Sequence, residues 1–93
     1  MNLIIIGKRG CPFSIASMKT ARILHKQGVL RRVTSLYTDT KSGLALLSRM
    51  RKHVPRTHKT YPMIFVKRRK QGPYQFVGGN AEFQQWVRKQ HTV

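Results

Sequence analysis

Four consecutive aliphatic residues, Leu3-Ile4-Ile5-Ile6, closed by Gly7, constrain this chain more than any other feature. A run without polar alternation reads as a strand buried on both faces, which puts it at the centre of a sheet covered above and below. In 93 residues there is no room for a second core, because a chain this short buries only about 60–65% of the surface its unfolded form exposes. Residues 1–93 are therefore expected to form one domain. The run is too short for a signal sequence and far too short to span a bilayer, so a cytoplasmic protein with no membrane association is expected.

Composition narrows the class further. With 19 Lys and Arg against 2 acids, the formal net charge is +17, which points to polyanionic partners, an acidic protein or a nucleic acid. Aromatic residues at 9% and the aliphatic runs set the chain apart from disordered basic tails. A single cysteine excludes an internal disulfide framework and a Cys-rich zinc site. Thiol chemistry, if present, uses an outside partner.

The remaining elements follow in order. Pro12 suits a first helical turn, where its missing N–H would have no partner. A helix is predicted from there through Ser14 to Gln27, with Ile15, Met18, Ala21 and Leu24 inward and Gly28 just past its end. A second strand is predicted over Val29 to Tyr37, followed by a turn and N-cap at Thr38-Asp39-Thr40. Leu44, Leu47 and Met50 at i, i+3, i+6 predict a helix over Ser42 to His53, stopped by Pro55. Met63 to Val66 and Tyr74 to Val77 read as a hairpin around the basic turn Lys67 to Gly72. Asn80 to Gln90 reads as a last helix with Phe83, Trp86 and Val87 on one face. The order β-α-β-α-β-β-α implies an α/β fold, a four-stranded mixed sheet with helices on both faces.

Cys11 is the residue with chemistry. A lone cysteine is more often a buried, inert hydrophobe. This one stands just before a helix, where unpaired N–H groups and the positive end of the dipole favour the thiolate, and Lys8 and Arg9 add charge in the same loop.

The stretch Lys8-Arg9-Gly10-Cys11-Pro12-Phe13-Ser14 resembles the glutaredoxin active-site motif, a lysine three residues before a Cys-Pro-aromatic-Cys or -Ser sequence. Two further segments match in order: Thr60-Tyr61-Pro62 resembles the family's Thr-Val-Pro segment, and Phe76-Val77-Gly78-Gly79 resembles its Gly-Gly motif before the last helix. The resemblance covers residues 3 to 90 and implies the glutaredoxin version of the thioredoxin fold. It implies a cis Pro62 facing Cys11, with the Tyr61 backbone pairing with the cysteinyl unit of glutathione as an added strand. Phe13 would form an apolar wall. Gly78, Gly79, Asn80 and Ala81 would hold the γ-glutamyl carboxylate on backbone N–H groups, with Asn80 as N-cap. Lys8 and Lys59, beside Thr60, would meet the glycyl carboxylate.

Departures from the family pattern shape the expected mechanism. Ser14 stands where dithiol members carry a second cysteine, and a hydroxyl cannot resolve a mixed disulfide, so Cys11, Lys8 and Ser14 imply a monothiol enzyme. Cluster-carrying monothiol members usually have glycine where Pro12 stands and extra residues between lysine and cysteine. Ala81 replaces a polar residue that helps grip the glutamyl unit, and Tyr61 is bulkier than the usual valine. The reading is a monomeric oxidoreductase that reduces protein–glutathione mixed disulfides, with glutathione as co-substrate. Its alternatives are a glutathione-ligated [2Fe-2S] protein and a basic nucleic-acid-binding module using Lys67-Arg68-Arg69-Lys70. His25, His53, His58 and His91 show no metal-ligand spacing and read mostly as surface; His58, three residues before Tyr61, is the one near enough to reach the groove. Trp86 reads as a core anchor.

Overall fold

The computed structural model describes residues 1–91, and side chains through residue 89. His91 closes the last helix, but its side chain lies outside the described residues. Strand β1 (Asn2–Gly7) pairs in parallel with β2 (Arg32–Tyr37) and antiparallel with β3 (Met63–Lys67), which forms a hairpin with β4 (Gln75–Gly78). The strand order is β2-β1-β3-β4. Helices α1 (Pro12–Lys26), α2 (Lys41–Met50) and α3 (Asn80–His91) complete the expected β-α-β-α-β-β-α order.

Alternation along the two inner strands divides the core. Leu3, Ile5, Ile64 and Val66 face Ala21, Leu24 and Phe83 from α1 and α3. Ile4, Ile6, Met63 and Phe65 face Leu46, Leu47 and Met50 from α2. Both faces of β1 are thus apolar because both are covered. Full burial of each such side chain is worth about 1.5–3 kcal/mol.

Two helices bury the faces their spacing predicts except at one position each: Ala21, Leu24, Leu47 and Met50 are buried and Met18 packs on the core, but Ile15 and Leu44 are exposed. In α1 the buried positions are Ser14, Ser17, Ala21 and Leu24, while Ile15 is 42% exposed. The two serines can be buried because their hydroxyls are satisfied: Ser14 Oγ accepts from Lys8 N–H at 3.1 Å, and Ser17 Oγ lies 2.8 Å from Phe13 O and 2.9 Å from Asn80 Oδ1. In α2, Leu44 is 55% exposed and the buried stripe runs through Gly43, Leu46, Leu47 and Met50. Leu47 and Met50 are thus buried as the i, i+3, i+6 spacing predicts, and Leu44 is the exception.

The close approach of Gly43 explains the departure in the first turn of α2. Thr40 Oγ1 caps the helix by accepting from Gly43 N–H at 2.9 Å and donates to Tyr37 O at 2.8 Å. That draws the first turn so close to the end of β2 that a Cβ on Gly43 would stand 1.8 Å from Tyr37 O. The helix ends earlier than predicted, at Met50, and Arg51–His53 form a separate 3-10 turn. Strand β2 starts at Arg32 rather than Val29, because the chain first turns at Gly28 and Val29 and Leu30 N–H groups donate to Leu24 O. Strand β4 is shifted one residue to Gln75–Gly78.

Gly43→Ala is expected to lower the unfolding free energy by about 2–3 kcal/mol through overpacking against that carbonyl. Leu44→Ala on the same helix is expected to cost under about 0.5 kcal/mol. Urea denaturation of the two variants checks both values.

Candidate active site

The end of β1 delivers the chain to Cys11. Strand β1 stops at Gly7, Lys8 O accepts from Cys11 N–H at 3.1 Å to close a turn, and Cys11 takes the extended backbone of an N-cap with Pro12 in the first helical turn. Its side chain is half-buried and unpaired by any disulfide. The thiol is held below its ordinary pKa, chiefly by hydrogen bonding from the Ser14 backbone N–H and then the Ser14 hydroxyl; burial opposes this, and the Phe13 N–H and the charge of Lys8 add smaller favourable effects.

Arg9 does not join that environment. Its Nε donates to Asp39 Oδ2 at 2.6 Å, its guanidinium carbon lies 4.5 Å from the centre of the Tyr37 ring, and the expectation that it helps the thiolate is corrected. Thirty residues separate the pair, and both side chains are exposed. The guanidinium lowers the Asp39 carboxyl and is itself raised by it.

Across from Cys11 stands the start of β3. The Tyr61–Pro62 peptide is cis, and Cys11 Sγ lies 3.9 Å from Tyr61 O. Pro62 is buried and Tyr61 half-buried against the α2 side of the core. Phe13 beside the cysteine is 61% exposed, an apolar surface next to the sulfur. Lys8, Lys59 and Thr60 are exposed. Lys59 lines a cavity of about 460 Å³ with Arg51, Arg56, His58 and Tyr61.

The Gly-Gly segment also comes to this end of the sheet. A Cβ on Gly79 would lie 3.6 Å from Pro62 O and 3.8 Å from His58 Cε1, so segments 58–62 and 78–79 adjoin. Gly78 holds a φ of +129°. His58 is half-buried, its ring edge-on to Phe76 at 4.8 Å with Nε2 buried and unpartnered. It therefore sits inside the groove wall and is no surface residue. His25 is exposed, but its Nδ1 lies 2.9 Å from Leu30 O.

Two features at the start of α3 differ from expectation. Asn80 is the first helical residue and does not cap the helix: its Oδ1 accepts from Gln84 Nε2 at 3.2 Å and faces the Ser17 hydroxyl. The side chain ties α3 to α1. Ala81 is exposed. Glu82, to which the sequence assigns no role, reaches back so that its Oε1 accepts from Gly79 N–H at 3.4 Å. A glutamate three residues after the residue preceding a helix is half of a capping box, and that spacing was the available signal. An acid thus already stands at the N–H cradle expected for a carboxylate.

No protein-family model and no curated protein matches the chain. Solved structures do. An Escherichia coli glutaredoxin structure superposes with a TM-score of 0.65 at 24% identity, covering 100% of both chains. The solution structure of reduced Escherichia coli glutaredoxin gives 0.67 at 23% identity, over 96% of this chain and 95% of that one. Glutaredoxin 1 from Francisella tularensis complexed with cacodylate gives 0.55 at 16% identity, over 95% and 93%. The fold is that of the glutaredoxins. Within it, the structure brings Lys8, Cys11, Phe13 and Ser14 to the entry of α1, Tyr61 and Pro62 opposite, and Gly78, Gly79 and Asn80 alongside.

Because the Ser14 hydroxyl acts on the thiol more strongly than the charge of Lys8, Ser14→Ala, which keeps the backbone donor, is expected to raise the midpoint of Cys11 alkylation against pH more than Lys8→Gln does. Both midpoints are expected above that of the parent chain, which itself lies below an ordinary thiol. Iodoacetamide rates measured across neutral and alkaline pH check the order.

Proposed function

We propose that residues 1–93 form one glutaredoxin-like domain, a glutathione-dependent thiol–disulfide oxidoreductase working by a monothiol route through Cys11. The observation that supports this most is the placement of Cys11: at a helix N-terminus, with its pKa lowered by the Ser14 donors, and 3.9 Å from the Tyr61 carbonyl that precedes Pro62.

In the first step the Cys11 thiolate attacks the glutathionyl sulfur of a protein–glutathione mixed disulfide. A new S–S bond forms to Cys11, the old one breaks, and the electron pair leaves on the protein thiolate, which takes up a proton from solvent. In the second step the thiolate of another glutathione attacks the glutathionyl sulfur on Cys11. Glutathione disulfide leaves and the Cys11 thiolate returns. Ser14 cannot compete as a resolving nucleophile, so the intermediate waits for glutathione. Once Cys11 ionises it has no proton to donate to Tyr61 O, and that carbonyl is free to accept from a substrate backbone N–H.

Glutathione would lie along segment 60–62 with Phe13 as an apolar wall. Its γ-glutamyl end would approach Gly78, Gly79 and the N–H groups of Asn80 and Ala81, and its glycyl carboxylate would meet Lys8 and Lys59. The protein would act as a monomer in the cytoplasm, where thiols are kept reduced. Among the described residues no three His, Cys, Asp or Glu side chains gather as a metal-binding group. An iron–sulfur role would therefore need Cys11 from two copies with two glutathiones.

Incubation with glutathione disulfide followed by mass spectrometry is expected to show one glutathionyl group on Cys11 and none on Cys11→Ser, which should also lose deglutathionylation activity. An unmodified Cys11 overturns the reading. Glu82→Gln removes the carboxylate beside Gly79 and is expected to lower the KM for glutathione about two- to fivefold, the size of one charge at a helix N-terminus. Steady-state kinetics with a glutathionylated peptide checks this.

A further inference from the structure

The opposite end of the sheet carries a second concave surface. A cleft of about 640 Å³ opens where β1 begins, and Arg31, Arg32, Lys67, Arg68, Arg69 and Lys70 line it. The sheet register explains the convergence. Asn2 at the start of the central strand pairs with Arg32 on one side and Lys67 on the other, and Arg31 N–H donates to Met1 O at 2.8 Å. Segments far apart in sequence thus form two basic rims about 10 Å apart, two strand spacings, over a floor that includes Asn2 and Thr34.

Among the described residues no acidic side chain balances these charges. The sequence has 2 acidic residues; Asp39 is paired with Arg9 and Glu82 bends back to Gly79, and neither lines the cleft. Lys67 is half-buried with its Nζ 5.3 Å from the centre of the Tyr74 ring, and the other five cations are exposed.

We infer that this cleft binds the phosphate backbone of single-stranded nucleic acid, independently of base sequence and of the chemistry at Cys11. Four of the six cations are arginines, whose planar forks take phosphate oxygens in pairs. An acidic protein partner would need apolar anchors to make a specific interface. The cleft offers Met1 and Tyr74, and Lys67 already lies over the tyrosine face. A phosphate chain needs no anchor, because counterion release alone drives its binding. A gap of about two strand spacings suits one strand and is too narrow to seat a whole duplex, of which the major groove alone is about 12 Å wide.

The test is fluorescence anisotropy with a labelled oligothymidylate of about 20 nucleotides, titrated between about 50 and 200 mM NaCl. The parent chain is expected to bind with a log–log salt slope near about −4. The variant K67Q/R68Q/R69Q/K70Q is expected to bind at least about tenfold more weakly, with the slope flattened to about −1.5. A control with the same charge removed from exposed helix positions, K19Q/R22Q/K41Q/R49Q, is expected to change affinity less than about threefold. Should the first variant fail to fold by circular dichroism, R31Q/R32Q removes the opposite rim and is expected to flatten the slope by about 1.4. Equal losses in cleft and control variants would mean binding by net charge alone and would overturn the assignment. So would tighter binding of a duplex of the same length, or of a polyglutamate peptide at the same salt. Glutathionylation of Cys11 is read separately, so failure of either proposal leaves the other standing.

Discussion

Burial of β1 on both faces is the constraint on which the rest of the structure depends. Leu3 and Ile5 lock against α1 and α3, and Ile4 and Ile6 against α2, so the strand can neither slide nor turn without exposing one set. Its C-terminal end therefore presents the turn from Lys8 to Cys11 at a fixed point, directly across from the start of β3. Its N-terminal end fixes Asn2 between Arg32 and Lys67. The half-buried cysteine groove and the basic cleft are thus the two ends of one strand, each assembled from what its neighbours bring to that end.

At Cys11, short-range donors matter more than charge. Were charge dominant, a net charge of +17 would acidify any thiol by its field alone, yet the Ser14 N–H and hydroxyl come first and Lys8 last among the favourable causes. The reason is distance and solvent. A donor aimed at the sulfur acts at hydrogen-bond range, whereas an exposed ammonium acts through water. Arg9 shows the same limit from the other side, since one carboxylate, Asp39, holds it out of the environment of the sulfur.

The sequence made the fold legible wherever apolar runs were unambiguous. The strand and helix order, the hairpin and the start of α1 at Pro12 all follow from runs and breakers that act locally. The faces of α1 and α2 followed in part: Ala21, Leu24, Leu47 and Met50 are buried as expected, but Ile15 and Leu44 are not, because serine burial at Ser14 and Ser17 depends on partners such as Asn80, 63 residues from Ser17, and the approach of Gly43 to Tyr37 depends on the cap at Thr40. In the candidate site, Cys11, Pro62 and the Gly-Gly pair stood out by residue type. His58 was marked only by its nearness to Tyr61; Glu82 and the Arg9–Asp39 pair did not stand out, since an acid or an arginine in a polar stretch gives no local sign of which way it turns. Glu82 was the exception in principle, because its spacing from Gly79 is a local pattern.

The two ends of β1 are also electrically separate. Six residues, Asn2–Gly7, span about 17 Å at the rise of a strand, roughly twice the screening length of about 8 Å at physiological ionic strength. Exposed cations on the rims of the cleft therefore act weakly on the Cys11 thiolate, and a polyanion bound among them would do little to its ionisation. Near the sulfur, the chain relies on directed hydrogen bonds, which salt screens little. At the far end it gathers six cations with no acid among them, where attraction falls steeply with salt. A strongly basic chain can in this way carry a charge-driven surface and a thiol site on one small sheet, because only the first depends on the net charge.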